Sequence, residues 1–400
     1  MLAVLAVAVA PAAASANPAP AGAVTAAAGA VPVAAGAVAN PASANPAPRP
    51  DLQRALDAVV AAGATGALAE TRDPLGRWAG VSGVAELDSG RPVPVNGRFR
   101  IGSVTKTFVS TVILQLVAER RLSLDDPVER RLPGLVPGGD KITVRQLLNH
   151  TSGLFNYTEA MPLDGEEFLK IRFRYYSPRQ LVAIATAHEP YFPPGTGWHY
   201  SNTNYILAGL TIERVTGRPY GAEIQRRILR PLGLRHTSVP GTSTAVPGPH
   251  SHGYLQIGSR TVDVTRLKPS WAWAAGEMIS TNVDLNRFFA ALLGGRLLHP
   301  AELAAMKATV PVEPGFGYGL GLYSLDLSCG RTIWGHDGGI HGYVTASMHT
   351  ADGRRQLTAS LNPLADDGLG EAVNNLILVA HCGKAGGAAA MRLPAVAAAF

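Results

Sequence analysis

The sequence predicts an α/β (α+β) domain. Its core is one antiparallel sheet built from both ends of the chain, flanked by terminal helices, with an all-α subdomain inserted. Three observations predict this. Strand-like segments cluster near the two ends, helix-periodic segments fill the middle, and turn signals join neighbouring strands. The chain has 400 residues, 46% of them hydrophobic, enough for one large core or two abutting subdomains. The 44 glycines, 30 prolines and 16% charged residues assign a real share to loops and low-complexity segments.

Taken in order, residues 1–16 (MLAVLAVAVAPAAASA) read as a signal peptide. An apolar stretch leads to the small-x-small site Ala14-Ser15-Ala16, although a basic n-region is missing. Pro11 and the short length argue against a membrane span, and no stable membrane anchor is evident. Residues 17–50 are Ala/Pro-rich and offer little specific packing against their ordering entropy, so they read as a linker. The folded domain is expected over 51–384, followed by a low-complexity tail at 385–400.

Within that domain, DLQRALDAVVAAG has apolar residues at helical spacing after a proline and predicts an N-terminal helix. GALAETRD and RWAGVSGVAEL bracket Asp73-Pro74-Leu75-Gly76 and predict a hairpin. SVTKTFVSTVILQLVAERR reads as a long, largely buried helix. Residues 125–310 are expected to be mainly helical, with TNYILAGLTIERVTG closed by Gly217. From Gly315 onward strands are expected again: GYGLGLYSL, RTIWGHDG, YVTASMHT and RQLTASLN, the last pair joined at Ala351-Asp352-Gly353. EAVNNLILVAH closes the domain as a helix.

The net charge of +6 is dispersed, which disfavours a nucleic-acid partner. The one basic cluster, Arg226, Arg227 and Arg230, reads as the solvated face of a helix end. No Gly-x-Ser-x-Gly elbow, His-Glu-x-x-His metal motif or phosphate-cradling glycine pattern occurs, and no metal or cofactor is expected. Cys329 and Cys382 form an even pair. In an exported chain such a pair favours a disulfide, the alternative being two separate buried thiols.

Three elements carry chemistry. Ser103-Val104-Thr105-Lys106 sits where the chain turns into the apolar helix, and a spacing of three puts both side chains on one face. A serine hydroxyl needs an adjacent base, and a lysine serves once burial lowers its pKa. Tyr200-Ser201-Asn202 follows a Pro/Gly-rich loop and precedes a helix, so it presents a phenol and an amide toward a cleft. His336-Asp337-Gly338-Gly339 is an expected strand with a cation and small residues, which admits close substrate approach to backbone N–H groups. His381-Cys382-Gly383 repeats the His-x-Gly spacing at a predicted helix end.

In this order the three elements resemble the penicillin-recognising serine hydrolases: class C β-lactamases, D-alanyl-D-alanine carboxypeptidases (peptidase S12-like), and related esterases and D-aminopeptidases. FRIGSVTKTF, LLNHTSGL, PGTGWHYSNTNY, GYGLGL, DLSCG and GHDGG extend the similarity over about 51–384. SWAWAAGEMIST and the cysteine pair resemble the secreted streptomycete DD-carboxypeptidases in particular.

The resemblance implies a β-lactamase/transpeptidase-like fold with the site between the sheet and the helical subdomain. It implies acylation of Ser103, with Lys106 and Tyr200 sharing acid and base work and Asn202 orienting Lys106. It also places His336 where others carry a lysine, tuning Tyr200, and an oxyanion on the N–H groups of Ser103 and Gly339. Asp337, Gly338, Gly339, Phe155, Trp271 and Trp273 would line the substrate site. The expected partner is a small peptide, β-lactam, ester or amide. One departure stands out. In the carboxypeptidases two hydroxyls and an arginine hold the substrate carboxylate, and here those positions are Asp337, Gly339 and Tyr323. That exchange disfavours an anionic substrate terminus and points to esters or D-amino-acid amides. A non-catalytic penicillin- or wall-binding module on the same fold is the alternative from another class.

Overall fold

The computed structural model describes residues 48–74, 76–365 and 368–383. The expectations for 1–16, for nearly all of 17–50 and for 385–400 fall outside these residues.

The chain enters through α1 (Pro50–Ala61), where a proline in the first turn and Asp51 suit a helix N-terminus. Its buried face is Leu52, Ala55, Leu56 and Val59. The predicted hairpin follows as β1 (Ala64–Asp73) and β2 (Gly76–Glu86), with the short β3 (Arg91–Pro92) beyond it. α2 (Thr105–Ala118) is apolar on nearly every side and buried along most of its length. α3 (Asn202–Thr216) ends at Gly217 in the left-handed region, a conformation glycine adopts without steric cost. α4 (Asn282–Leu293) starts on a Thr281 cap. Six strands then complete the sheet: β4 (Val310–Glu313), β5 (Phe316–Tyr318), β6 (Tyr323–Asp326), β7 (Thr332–Ile340), β8 (Tyr343–Thr350) and β9 (Gln356–Pro363). α5 (Leu369–Cys382) closes the domain.

The nine strands form one antiparallel sheet in the order β3-β2-β1-β9-β8-β7-β6-β5-β4. The first long strand therefore pairs with the last, Leu68 opposite Ser360, as a sheet built from both ends requires. α1 and α5 cover one face with Leu56, Val59, Val373, Leu376 and Ile377. α2 and α4 cover the other, joined by stacked Phe108 and Phe288 rings at 3.7 Å. Each such buried side chain contributes about 1.5–3 kcal/mol, so burial on both faces holds the sheet between the two helical layers.

Three details differ from expectation. GYGLGLYSL is not one strand but the hairpin β5–β6, turned over Gly319–Leu322 with Gly319 N–H bonded to Leu322 O at 2.8 Å. Alternating small residues cannot distinguish a straight strand from one folded at a glycine. Here Gly321 has φ +70°, and an added Cβ would lie 2.3 Å from Ser110 Oγ. A second hairpin, Tyr254–Ile257 with Arg260–Asp263, interrupts the helical stretch. Arg227 is not on a solvated face: its side chain is 7% exposed and pairs with Glu119 and Glu223.

Cys329 and Cys382 are joined in a disulfide, with Cα atoms 6.0 Å apart, tying the β6–β7 loop to the end of α5. His381-x-Gly is thereby the end of a helix, not a site strand. The bond closes a sequence separation of 53 residues. Loop-closure entropy assigns it about 4 kcal/mol. Paired Cys329→Ser and Cys382→Ser replacement is expected to lower Tm by several degrees and to leave kcat unchanged, read by calorimetry and ester hydrolysis.

Candidate active site

Ser103 lies in a single 3-10 turn, Gly102–Val104, that runs directly into α2. Two glycines let this turn touch the sheet. A Cβ on Gly102, at φ +49°, would meet Gly339 O at 2.5 Å. A Cβ on Gly338 would meet Ile101 O at 2.2 Å and Ser103 N at 2.7 Å. The backbone of β7 is thus pressed against the serine. β6 pairs with β7 only over residues 332–335, so among the described residues 336–340 have no strand partner on that edge. An edge without a strand partner beside the serine is the geometry the expected oxyanion site requires.

Lys106 stands one turn along α2, fully buried, with its Nζ 2.9 Å from Ser103 Oγ. Nζ also donates to Asn202 Oδ1 at 2.8 Å and to Ala275 O at 2.7 Å. Asn202 opens α3, and its own N–H donates to Asn156 Oδ1 at 3.0 Å. Burial lowers the Lys106 pKa well below the ordinary lysine value, against the opposing pull of Asp337. Two of its neighbours, a carbonyl and an amide oxygen, only accept. A neutral amine therefore spends both N–H bonds on them and turns its lone pair to Ser103 Oγ. That is the arrangement of a general base at a nucleophile.

Tyr200 is nearly buried, with its ring 4.9 Å beneath Lys106 Nζ. Burial raises its phenol well above the ordinary tyrosine value, opposed by the adjacent Ser103 and reinforced by Asp337. Its Oη lies beside the Ser103 hydroxyl and closes no other hydrogen bond among the described residues. A neutral phenol with a spare proton, facing the serine, suits delivery of a proton to a leaving group.

His336 departs from its expected role. It is fully buried and bonds Tyr318 Oη at 2.9 Å, not Tyr200. Burial, then the Lys106 charge, push its pKa down to about 3, so it is neutral where a cation was expected. Asp337 is also buried, and neither carboxyl oxygen closes a hydrogen bond among the described residues. Burial raises its pKa to about 7, tempered by Tyr323 and Lys106. A folded-state pKa above the unfolded value means that stability is lost as pH rises from about 4 toward 7. Asp337→Asn is expected to remove that slope, gaining several degrees in Tm at pH 8 and none at pH 4, read by calorimetry across pH.

The aromatic candidates divide. Phe155 stacks on His188 at 4.3 Å, and its carbonyl accepts from Ser201 Oγ and Thr203 Oγ1, bracing the Tyr200 turn. Trp271 is fully buried, edge-on to Phe168 and His341, and its carbonyl accepts from Tyr157. Trp273 packs against Tyr220 and Gly209. These contacts make both tryptophans packing residues of the helical region. The sequence reading missed Ala275, Asn156, His150 and Tyr318 as parts of the site. A backbone carbonyl leaves no residue-type signal, and His150 was visible only inside LLNHTSGL.

The Beta-lactamase family profile matches residues 52–380. Two Bacillus subtilis (strain 168) penicillin-binding-protein relatives are 31% and 29% identical over 56% and 69% of this chain, which spans 53% and 63% of their lengths. Among solved structures, a D-stereospecific amidohydrolase from Streptomyces sp. superposes with TM-score 0.79 at 48% identity, over 85% of this chain and all of that one. The D-amino acid amidase of Ochrobactrum anthropi SV3, complexed with L-phenylalanine, superposes with TM-score 0.74 at 29% identity, over 84% and 99%. Ser103, Lys106 and Tyr200 converge at the junction of sheet and helices, and the family match spans most of the domain: the chain belongs to the Beta-lactamase family and is a serine hydrolase.

Proposed function

We propose that this protein hydrolyses D-amino-acid amides and esters through an acyl-enzyme on Ser103. The observation that carries the chemistry is Lys106 Nζ at 2.9 Å from Ser103 Oγ, with its other bonds spent on Asn202 and Ala275. Oγ forms an ester with the acyl carbon as the bond to the leaving amine or alcohol breaks. The Oγ proton passes to Lys106, and Tyr200 or Lys106 returns one to the leaving group. Water then hydrolyses the ester. The Ser103 and Gly339 N–H groups would hold the oxyanion.

The substrate class rests on Asp337. A buried carboxyl facing Lys106 and Tyr323 repels a carboxylate terminus and welcomes an ammonium or neutral group. The amidohydrolase and amidase similarities point the same way. A panel of D-alanine amide, nitrophenyl butyrate, nitrocefin and a D-Ala-D-Ala peptide ranks the substrates. The amide and ester are expected to lead at pH 8, where Asp337 is ionised. A higher kcat/KM for the D-Ala-D-Ala peptide than for its C-terminal amide overturns the assignment. The same reading takes the chain as exported, on the leader-like 1–16 and the disulfide. N-terminal sequencing of protein recovered from medium should begin at Asn17.

A further inference from the structure

Beneath Tyr200 lies a chain of buried polar side chains that the acylation steps do not use. The Ser201 N–H donates to His150 Nδ1 at 3.1 Å, and Asn204 Nδ2 shares that acceptor at 3.1 Å. His150 Nε2 is 3.2 Å from Tyr318 Oη, which is 2.9 Å from His336 Nε2. His336 Nδ1 meets its neighbour's carbonyl, Asp337 O, at 2.5 Å. All three side chains are fully buried.

The two ends decide the proton on each imidazole. A backbone N–H only donates, so His150 Nδ1 is bare and the neutral ring carries its proton on Nε2. A carbonyl only accepts, so His336 carries its proton on Nδ1 and leaves Nε2 bare. One imidazole thus offers an N–H and the other a lone pair. A phenol satisfies both at once, accepting from His150 and donating to His336. Phenylalanine at 318 would orphan two buried nitrogens.

This chain of hydrogen bonds joins four separate segments of the fold. His150 follows the helix Val144–Leu148, Tyr318 is on β5, His336 is on β7, and Ser201 precedes α3. His150 holds φ +62°, a left-handed conformation that costs a histidine about 1–2 kcal/mol. Its ring lies against the Tyr200 ring, centroids 4.2 Å apart.

We propose that His150 and Tyr318 are positioning residues: with His336 they form an uncharged, tautomer-locked strut that sets the separation between the Tyr200–Asn202 segment and the Gly338–Gly339 edge. The inference uses the Ser103–Lys106–Tyr200 machinery and not the choice of a D-amino-acid substrate. Burial and the nearby Lys106 charge hold both imidazoles below their ordinary range. The groups facing them are Lys106, His199, Tyr200, Tyr205 and Tyr318 around His150, and Lys106, Asp337, Tyr318 and Tyr323 around His336. With both rings neutral, neither places a cation beside the phenol to ionise it.

The test reads geometry and chemistry separately. In the full chain labelled with 15N-histidine, NMR should show that the His150 and His336 rings, like those of the buried His341, His349 and His381, do not titrate between pH 5 and 8. The signal lost in His150→Gln should be the Nε2–H tautomer, and the signal lost in His336→Gln the Nδ1–H tautomer. Acylation by a fluorescent penicillin and hydrolysis of nitrophenyl butyrate supply the activity readouts, so the strut is judged whichever natural substrate proves correct. Tyr318→Phe is expected to lower kcat by about 10- to 100-fold, the cost of an ångström-scale misplacement. KM should stay within about twofold and the alkaline limb of the pH profile should move. His150→Leu should match it. His150→Gln, which can accept from Ser201 and donate to Tyr318, should recover most of the rate. Unchanged kcat and pH profile in folded Tyr318→Phe overturn the proposal, as do the opposite tautomers in the wild-type spectrum. The wild-type spectrum and His150→Gln decide the matter if Tyr318→Phe does not fold.

Discussion

Replacing Lys106 with methionine is expected to slow acylation of Ser103 by about 1000-fold or more while the protein stays folded. The thioether keeps the shape of the lysine stem in α2 but supplies no base at the 2.9 Å contact to Ser103 Oγ. It also leaves Asn202 Oδ1 and Ala275 O without these donors. Each lost partner in a buried place costs about 1–3 kcal/mol. Removing a buried ammonium-forming group returns desolvation energy of the same order. The net change in Tm should therefore be a few degrees, while the rate collapses. Intact mass after incubation with a fluorescent penicillin gives the rate of adduct formation, and circular dichroism gives Tm. Ser103→Ala is the limiting case and should form no adduct. Wild-type acylation by Lys106→Met would remove the lysine from the mechanism and pass the base role to Tyr200.

Gly338→Ala is expected to reduce kcat/KM by about 100-fold and to cost about 1–3 kcal/mol of stability. The new methyl would fall 2.2 Å from Ile101 O and 2.7 Å from Ser103 N. Both obstacles are backbone, so no side chain can rotate away. β7 must retreat from the serine, carrying the Gly339 N–H with it. Gly370→Ala is the control. It lies in α5 with nothing among the described residues within 4 Å of the added methyl, and should stabilise slightly with no loss of rate. Steady-state kinetics on nitrophenyl butyrate with parallel thermal melts separates the two effects. Full activity in Gly338→Ala would mean that β7 need not touch the serine for catalysis.

Local patterns carried the architecture. The α1 periodicity, the hairpin turn after Asp73 and the apolar run of α2 are properties of short windows, so they were readable before any fold was known. The same holds for Ser103 and Lys106, which one helical turn joins without tertiary help. Tyr200 and Asn202 were legible as a motif, but their meeting with Lys106 is a contact across 96 residues that only packing brings about.

Where the expectation failed, a long-range environment decided. His336 was expected to be a cation because histidine titrates near neutrality. Complete burial beside Lys106 removes that charge, and no nearest neighbour in the chain announces it. Trp271 and Trp273 looked like pocket walls because aromatics serve core and cleft alike. GYGLGLYSL looked continuous because a glycine's φ is invisible in the letter G. By itself the sequence determined the order of the elements, the meeting of Ser103 with Lys106, and the pair of cysteines, since each depends on local spacing or residue chemistry. The tertiary structure alone decided which groups are charged, which carbonyl holds the base and how His150, Tyr318 and His336 share their protons, because desolvation and hydrogen-bond direction arise only when distant segments exclude water together.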